Sequence, residues 1–385
     1  MSSAAQTNAH GVNLRYTHCP MPMIGPSQPC FIIADAGVNH GGSVDAALDL
    51  VSAAKRAGAA GVKFRVFKSE RESLLPAAEQ RRLELAPQDF VRIKRRCDDE
   101  RVEFIAGVWD SQSLAELRQL GVRLLKLGSG EITNRLLIEA CARSGLPLLL
   151  STGVSTMSEI TRAVGWHRTA FRGGLPAASE GFDIEGGGRL ALLHTVLAMN
   201  PSPGDANLRA IGTIASRTML PVGFSERSRD SGRAVLAVAA GACIVQKPLT
   251  LSRGQEGPNH ALSLEPADFK LMVDAVRAAE VALGDGRKRP MPDDQPVRIR
   301  IRRWLAAARA LPRGHILVPD DLVALRPGSP AGGIGPYDRD WAVGRTLLQD
   351  VQAGEPLRRE WLDGLDHQEA SWFGTTPPRE KPPQS

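Results

Sequence analysis

Residues 31–67 read FIIADAGVNHGGSVDAALDLVSAAKRAGAAGVKFRVF, and this stretch decides the fold. An apolar run opens at Phe31. VDAALDLVSAAKRAG then spaces its apolar residues by three and four, as one buried helix face requires, and a second apolar run begins at Gly61. The order is strand, helix, strand, the unit of a parallel sheet. Working outward, the same rhythm supplies eight strand candidates: FIIADAG from Phe31, GVKFRVF from Gly61, EFIAGVWD from Glu103, LLKLGS from Leu124, PLLLSTG from Pro147, LALLHT from Leu190, PVGFSE from Pro221 and CIVQKPLT from Cys243. Amphipathic stretches such as MSEITRAVGWH lie between them, and ADFKLMVDAVRAAEVALG closes the series. Eight such units within about 255 residues predict an α/β fold of the (β/α)8 TIM-barrel kind, whose active sites sit at the C-terminal ends of the strands.

A charged, Pro-rich joint, DGRKRPMPDDQP, follows from Asp285, and a shorter β-rich pattern begins near Val297. Two similar phrases recur in it, each a strand of small residues, a Gly turn and a step such as VPDDL or LRREWL. The expected organisation is an N-terminal segment 1–29, a barrel 30–285, a linker 286–297, a small β-rich domain 298–366 and a disordered tail 367–385. The first 29 residues and the insert FRGGLPAASEGFDIEGGG from Phe171 lack periodicity and are expected to be mobile. In VRIRIRRW, charged and apolar residues alternate as on an exposed strand face.

Composition narrows the function classes. The 385 residues are 42% hydrophobic and 5% aromatic, with a formal net charge of +6. Lys and Arg are spread along the chain without a basic block interleaved with aromatics, so an anionic small substrate explains the charge better than nucleic acid. No apolar run reaches the ~18 residues of a spanning helix, and the N-terminus lacks a basic start followed by an apolar block. A cytoplasmic protein with no membrane partner is the expectation. Five cysteines without CxxC spacing argue for reduced, mostly buried thiols.

Barrel strands normally spend their inward positions on apolar layers, so polar residues at strand ends are site candidates. Asp35, Asn39 and His40 follow the first strand, and Lys63 and Arg65 alternate on the second. Lys126, Ser129 and Glu131 end the fourth, Ser151 and Thr152 the fifth, His194 the sixth, Ser225 to Arg227 the seventh and Lys247 the eighth. Lysines and hydroxyls converging on one mouth suit a phosphate and a carboxylate through charge-assisted hydrogen bonds.

Seven phrases, FIIADAGVNHGGSVDAALDL, AGVKFRVFKSE, KLGSGEITN, LLLSTGVSTMSEI, DANLRAIGTI, GPNHALSLEP and LRPG, resemble in order and spacing the sialic acid (N-acetylneuraminate) synthase family, from about Phe31 to Asp366. The resemblance implies a barrel that condenses phosphoenolpyruvate with an N-acetylated hexosamine, giving a nonulosonic acid and phosphate. It implies a C-terminal domain similar to type III antifreeze protein (a SAF domain), in a swapped homodimer. Under it, Lys63, Lys126, Ser129, Ser151 and Ser225 match phosphoenolpyruvate-binding positions, and Glu131 an acid at the reacting centre. Arg326, in LRPG, matches an arginine that reaches the sugar in the neighbouring subunit.

The chain departs from the family pattern where its chemistry occurs. The family's seventh-strand phrase is similar to SDHT and its eighth to KHFT; here SERS and KPLT put Arg227 and Pro248 at the two metal-ligating histidines. Asn259 stands at a carboxylate position, Asp35 at a Glu, Arg65 at a Gln, and Leu197 and Met199 at polar substrate contacts. The family uses manganese or magnesium, but Arg does not ligate a metal and Pro has no side-chain donor, so no metal cofactor is expected. The expected activity is a phosphoenolpyruvate-dependent, metal-independent transferase acting on a sugar aldehyde. Glu131, Arg227, His194 and Asp35 are its catalytic candidates, and Arg65, Asn259 and Arg326 its acceptor contacts. The alternative is a catalytically retired homologue that serves as a binding or assembly partner.

Overall fold

Alternation along the barrel strands sorts their residues into two cores. On β1 (Phe31–Gly37), Ile32 and Ala34 pack outward against helices while Phe31 and Ile33 pack inward with residues of other strands. A computed structural model describes residues 23–69, 77–172, 184–185, 189–326 and 333–364. The chain divides into two units, Met1–Asp285 and Gly286–Ser385.

In the first unit β1 is followed by β2 (Gly61–Phe64), β3 (Glu103–Gly107), β4 (Leu125–Leu127), β5 (Leu148–Ser151), β6 (Leu190–Met199), β7 (Val222–Arg227) and β8 (Ile244–Pro248). They close in sequence order into a parallel barrel, β8 pairing back onto β1. This is the TIM barrel, with a strand at each of the eight positions read from the sequence. Helices α1 (Val44–Arg56), α2 (Ala77–Leu83), α3 (Pro87–Asp99), α4 (Ser111–Gln119), α5 (Arg135–Arg143), α6 (Met157–Arg172), α7 (Ala210–Thr218), α8 (Gly232–Ala239) and α9 (Pro266–Leu283) fall between and after the strands. Their ends have local causes. The Ser43 hydroxyl caps α1 at the Ala46 amide, Lys55 and Arg56 sit in its negative last turn, and Asn134 caps α5 at the Leu137 amide.

The N-terminal end of the barrel corrects an expectation. Ile24 and Ile184, from the two stretches read as mobile, pair as a parallel bridge and are fully buried with Phe31, Leu124, Leu149 and Ile244. Ser27 holds the Glu185 carboxylate, and the Glu185 amide donates to the Ile24 carbonyl at 2.8 Å. Two isoleucines removed from water stabilise this floor by roughly 3–6 kcal/mol, which aperiodic sequence does not reveal. The rest of both stretches, and the 367–385 tail, lie outside the described residues.

The second unit is built on the repeated phrase. Antiparallel β9 (Trp304–Ala307) and β10 (Leu322–Leu325) form its sheet, preceded by α10 (Asp294–Ile301) and followed by the short α11 (Arg339–Ala342). Leu311, Leu317 and Leu322 in the first copy have counterparts in Val351, Leu357 and Leu362, and Gly314 and Gly354 make the same positive-φ turn. This is the small β-rich domain that the sequence predicts after the linker, built on an internal repeat. One element differs from expectation: most of VRIRIRRW is the end of α10, not a strand, and strand begins only at Trp304. Asp293 and Asp294 at the helix start, with Arg298 and Arg300 in its last turn, match the helix dipole, and this outweighs the alternation of side chains.

Behind the C-terminal ends of β7 and β8 lies a buried ion network. Glu226 accepts from Lys247 Nζ at 2.8 Å, Arg233 of α8 at 2.9 Å and the Ser228 hydroxyl at 2.8 Å. Lys247 also donates to the Asp230 carbonyl, and Arg233 to the Pro201 carbonyl. The loop after β7 is thereby pinned from both sides. Lys247→Met leaves the Glu226 carboxylate buried with one of its three donors gone, and we expect a loss of about 3–5 kcal/mol in urea unfolding. Replacing the whole trio, Lys247→Met with Glu226→Leu and Arg233→Met, should recover most of that loss.

Candidate active site

Inward positions nearer the C-terminal ends of the strands switch from apolar to polar. Ile33 gives way to Asp35, Leu124 to Lys126, Leu149 to Ser151, Ile244 to Gln246, and packed Gly61 and Gly223 to Lys63 and Ser225. Lys63 Nζ lies 3.1 Å from Asp35 Oδ1, and Gln246 Nε2 donates to Asp35 Oδ2 at 2.8 Å. Across the barrel Lys126 Nζ donates to Ser151 Oγ at 2.9 Å. Ser129, in the 3-10 turn Ser129–Thr133 after β4, accepts from the Gly153 amide at 3.0 Å. Gly153 is required there, because a Cβ would lie 2.8 Å from Ser129 Oγ and 2.9 Å from the Thr195 carbonyl.

Electrostatics mark this as a place for an anion. Burial first, then the positive charges of Lys63 and Arg227, together push the Lys126 ammonium down to about 7 against the opposing effect of Asp35. Three cations thus act on one mouth that holds one carboxylate among its inward residues. Arg227 follows Ser225 on the same face of β7, exposed, with Nη1 3.8 Å from Met199 Sδ. Pro248 follows Gln246 and stands in register with Asp35.

The remaining candidates take separate places. The Arg65 guanidinium stacks over Phe67 and Trp109 at 5.4 and 5.2 Å. Asn259 Nδ2 and Asp35 Oδ1 both lie near Gly37, 3.7 and 3.4 Å from where a Cβ on it would sit. Glu131 is half-buried in the turn after β4 and accepts from Asn134 Nδ2 at 2.7 Å. Asn39 staples its loop to the Leu249 carbonyl and the Ser263 hydroxyl, and burial holds His40 at about 4. Arg326 belongs to the second unit, where its Nε donates to the Ile301 carbonyl.

Strand parity removes two candidates from the mouth. His194 lies between inward Leu193 and Thr195, so its ring turns outward, 2.9 Å from the Ala206 carbonyl and 5.9 Å from the Phe224 ring. Lys247 likewise turns outward into the Glu226 network. Its neighbour Gln246 is the mouth residue that charge-based reading missed. Counting by two from Ile244 would have found it.

The side chains at the two positions where the family places histidines do not suit a divalent ion. A guanidinium repels the cation and a proline ring offers no lone pair. The carboxylate in register with Pro248, Asp35, takes hydrogen bonds from Lys63 and Gln246 at Oδ2. Among the described residues no group of three or more His, Cys, Asp or Glu is placed to ligate a metal.

Residues 50–288 match the model of the NeuB family, and residues 302–360 match the SAF domain. The chain is 34% identical to the N,N'-diacetyllegionaminic acid synthase of Legionella pneumophila over 88% of its own length and 96% of the relative's. It is 28% identical to the human N-acetylneuraminate-9-phosphate synthase, covering 90% of this chain and 96% of that one. The crystal structure of N-acetylneuraminic acid (sialic acid) synthetase from Leptospira borgpetersenii in complex with citrate superposes with a TM-score of 0.64 at 31% identity, over 73% of this chain and 96% of that one. A barrel with a cationic mouth, followed by a SAF domain and matched along nearly the whole length of these relatives, belongs to the NeuB family.

Proposed function

We propose that this chain is a nonulosonic acid synthase that joins phosphoenolpyruvate to an N-acetylated amino sugar or similar aldehyde and works without a divalent metal. The observation that carries the reading is the mouth itself, where Lys63, Lys126 and Arg227 act on one space beside the carboxylate of Asp35. Phosphoenolpyruvate brings a phosphate and a carboxylate, which such an excess of cations binds through charge-assisted bonds. The names of the Legionella and human relatives support the product class. The citrate bound by the Leptospira relative supports an anion-binding site.

In this reading Lys63, Lys126, Ser129, Ser151 and Ser225 hold phosphoenolpyruvate. Its C3 bonds to the aldehyde carbon, water adds at C2, and the C2–O bond to phosphate breaks to leave an α-keto acid. Arg227 stabilises the charge that grows on the aldehyde oxygen through its directed N–H groups. Glu131 gives that oxygen its proton. His194 has no part in this step, since its ring lies on the other face of β6. Arg65 and Asn259 contact the acceptor. The active form is a homodimer in which Arg326 of one subunit completes the site of the other.

Phosphate release from phosphoenolpyruvate and candidate sugar aldehydes, with and without chelator, tests the reading. We expect release to survive chelation, and Arg227→Ala to lower kcat by about 10²–10³-fold. Activity only with added metal sinks the metal-free mechanism. No release with any acceptor, together with no phosphoenolpyruvate binding, indicates the retired homologue.

Lys126 makes binding depend on pH. Its proton is half lost near 7 in the free protein, and a bound dianion favours the charged form, so binding takes up a proton above that pH. The phosphate's own titration near 6 is complete by then. Calorimetry between pH 7 and 9 should therefore show affinity for phosphoenolpyruvate falling as pH rises. Lys126→Met should flatten that dependence and weaken binding by about 10–150-fold, the equivalent of roughly 1.5–3 kcal/mol. Solution scattering should find a dimer at micromolar concentration, and a monomer would remove Arg326 from the site.

A further inference from the structure

The Asp35–Gln246 contact is polarised in one sense only. A carboxylate has no hydrogen to donate, so the amide nitrogen of Gln246 must face Asp35 Oδ2, at 2.8 Å, and the amide oxygen must face away. That oxygen, Gln246 Oε1, is buried and, among the described residues, accepts no hydrogen bond; the residue is 6% exposed. Asp35 Oδ1 is also buried and is ion-paired with Lys63 at 3.1 Å, but Lys63 gives its hydrogen bond to Oδ2, so among the described residues Oδ1 accepts none. Two adjacent side chains in the mouth thus each carry a buried acceptor oxygen without a hydrogen bond. Leaving a buried acceptor unmet costs about 1–3 kcal/mol, a cost that a native site recovers with a ligand or water.

Phosphoenolpyruvate offers only acceptor oxygens when ionised, so it does not match two unpaired acceptors. Water does, because it has two O–H groups to give and keeps a lone pair for attack. Resting on the synthase reading above, we infer that Gln246 positions the water that adds to C2 of phosphoenolpyruvate, accepting one of its hydrogens at Oε1 while Asp35 Oδ1 accepts the other. When the new C–C bond has left C2 electron-poor, the water oxygen bonds to C2 and its proton passes to Asp35. The adduct then collapses: the C2–O bond to phosphate breaks, the departing phosphate takes the remaining hydroxyl proton, and C2 becomes the ketone. Asp35 returns its proton to solvent. Gln246 does no proton transfer; it sets the direction of the lone pair and fixes the carboxylate that receives the proton.

The test joins a structure with kinetics. A crystal of the full chain grown with phosphoenolpyruvate should show an ordered water within hydrogen-bond distance of both Gln246 Oε1 and Asp35 Oδ1. A protein or substrate atom on Gln246 Oε1, or no water there, overturns the inference. Gln246→Leu should lower kcat by about 10²-fold with KM for phosphoenolpyruvate unchanged, and an unchanged kcat also overturns it. Gln246→Glu, close in shape, guards against misfolding of the leucine variant: it keeps the acceptor but sets a second carboxylate against Asp35, so the pair shares a proton and activity should fall as pH rises through that shared titration. A pH profile identical to wild type counts against the inference. Should the wild type release no phosphate with any aldehyde, the synthase reading fails by itself, and the crystal still decides whether Gln246 and Asp35 hold a water.

Discussion

Two ammonium groups and a guanidinium act on one barrel mouth in which Asp35 is the inward carboxylate, and that imbalance of charge is the constraint on which the site depends. Bringing Lys63 and Lys126 together out of water is unfavourable twice over, by desolvation and by mutual repulsion. The fall of Lys126 to about 7 records both effects. A protein tolerates such an arrangement only if the surrounding structure holds the groups in place. The closed barrel does so, because every strand is paired on both sides and none can slide outward to relieve the repulsion.

The same strands carry a second set of charges facing the other way. Glu226 and Lys247, one residue along from Ser225 and Gln246, meet Arg233 in the outer layer and are fully paired there. Parity separates the two sets. Outward charges satisfy one another and fix the loops, whereas inward charges are left unbalanced and face the space where a substrate would lie. A one-residue slip in either strand would exchange the two sets, placing Lys247 in the mouth and Gln246 among helices. The register of β8 against β1, with Asp35 opposite Pro248, therefore matters to the chemistry as much as to the fold.

Much of this was legible in the sequence. Eight apolar runs at regular spacing led to eight barrel strands because burial on both faces makes barrel strands uniformly apolar, a signal that does not depend on long-range contacts. Lys63, Lys126 and Ser151 were found for the same reason in reverse, as polar breaks in apolar runs. The misses share a cause as well. His194 and Lys247 are also polar breaks, but on the outward face, and a reading that scores residue type without counting parity cannot separate Lys247 from Gln246. The barrel floor at Ile24 and Ile184 was hidden because one bridge between distant segments leaves no period, and α10 was hidden because dipole-matched charges at its ends outweighed an alternating pattern too short to decide.

Replacing two imidazoles by Arg227 and Pro248 changes the kind of electrostatics available rather than simply deleting it. A divalent ion concentrates its charge at a point and draws ligands into a fixed polyhedron, whereas a guanidinium spreads one charge over a plane and acts through directed N–H groups. Such a group stabilises a developing oxyanion at one orientation and is poor at gripping water, because it has no lone-pair acceptor with which to turn a water molecule. A site that relies on Arg227 for the aldehyde must therefore orient its water elsewhere. Among the described residues of the mouth, Gln246 Oε1 and Asp35 Oδ1 are buried acceptors without hydrogen bonds. They stand beside Pro248, a ring that ligates nothing and holds the end of β8 rigid next to them. In the proposed synthase the two tasks fall to separate groups of one mouth, with Arg227 of β7 serving the aldehyde oxygen and the amide–carboxylate pair of β8 and β1 holding the water.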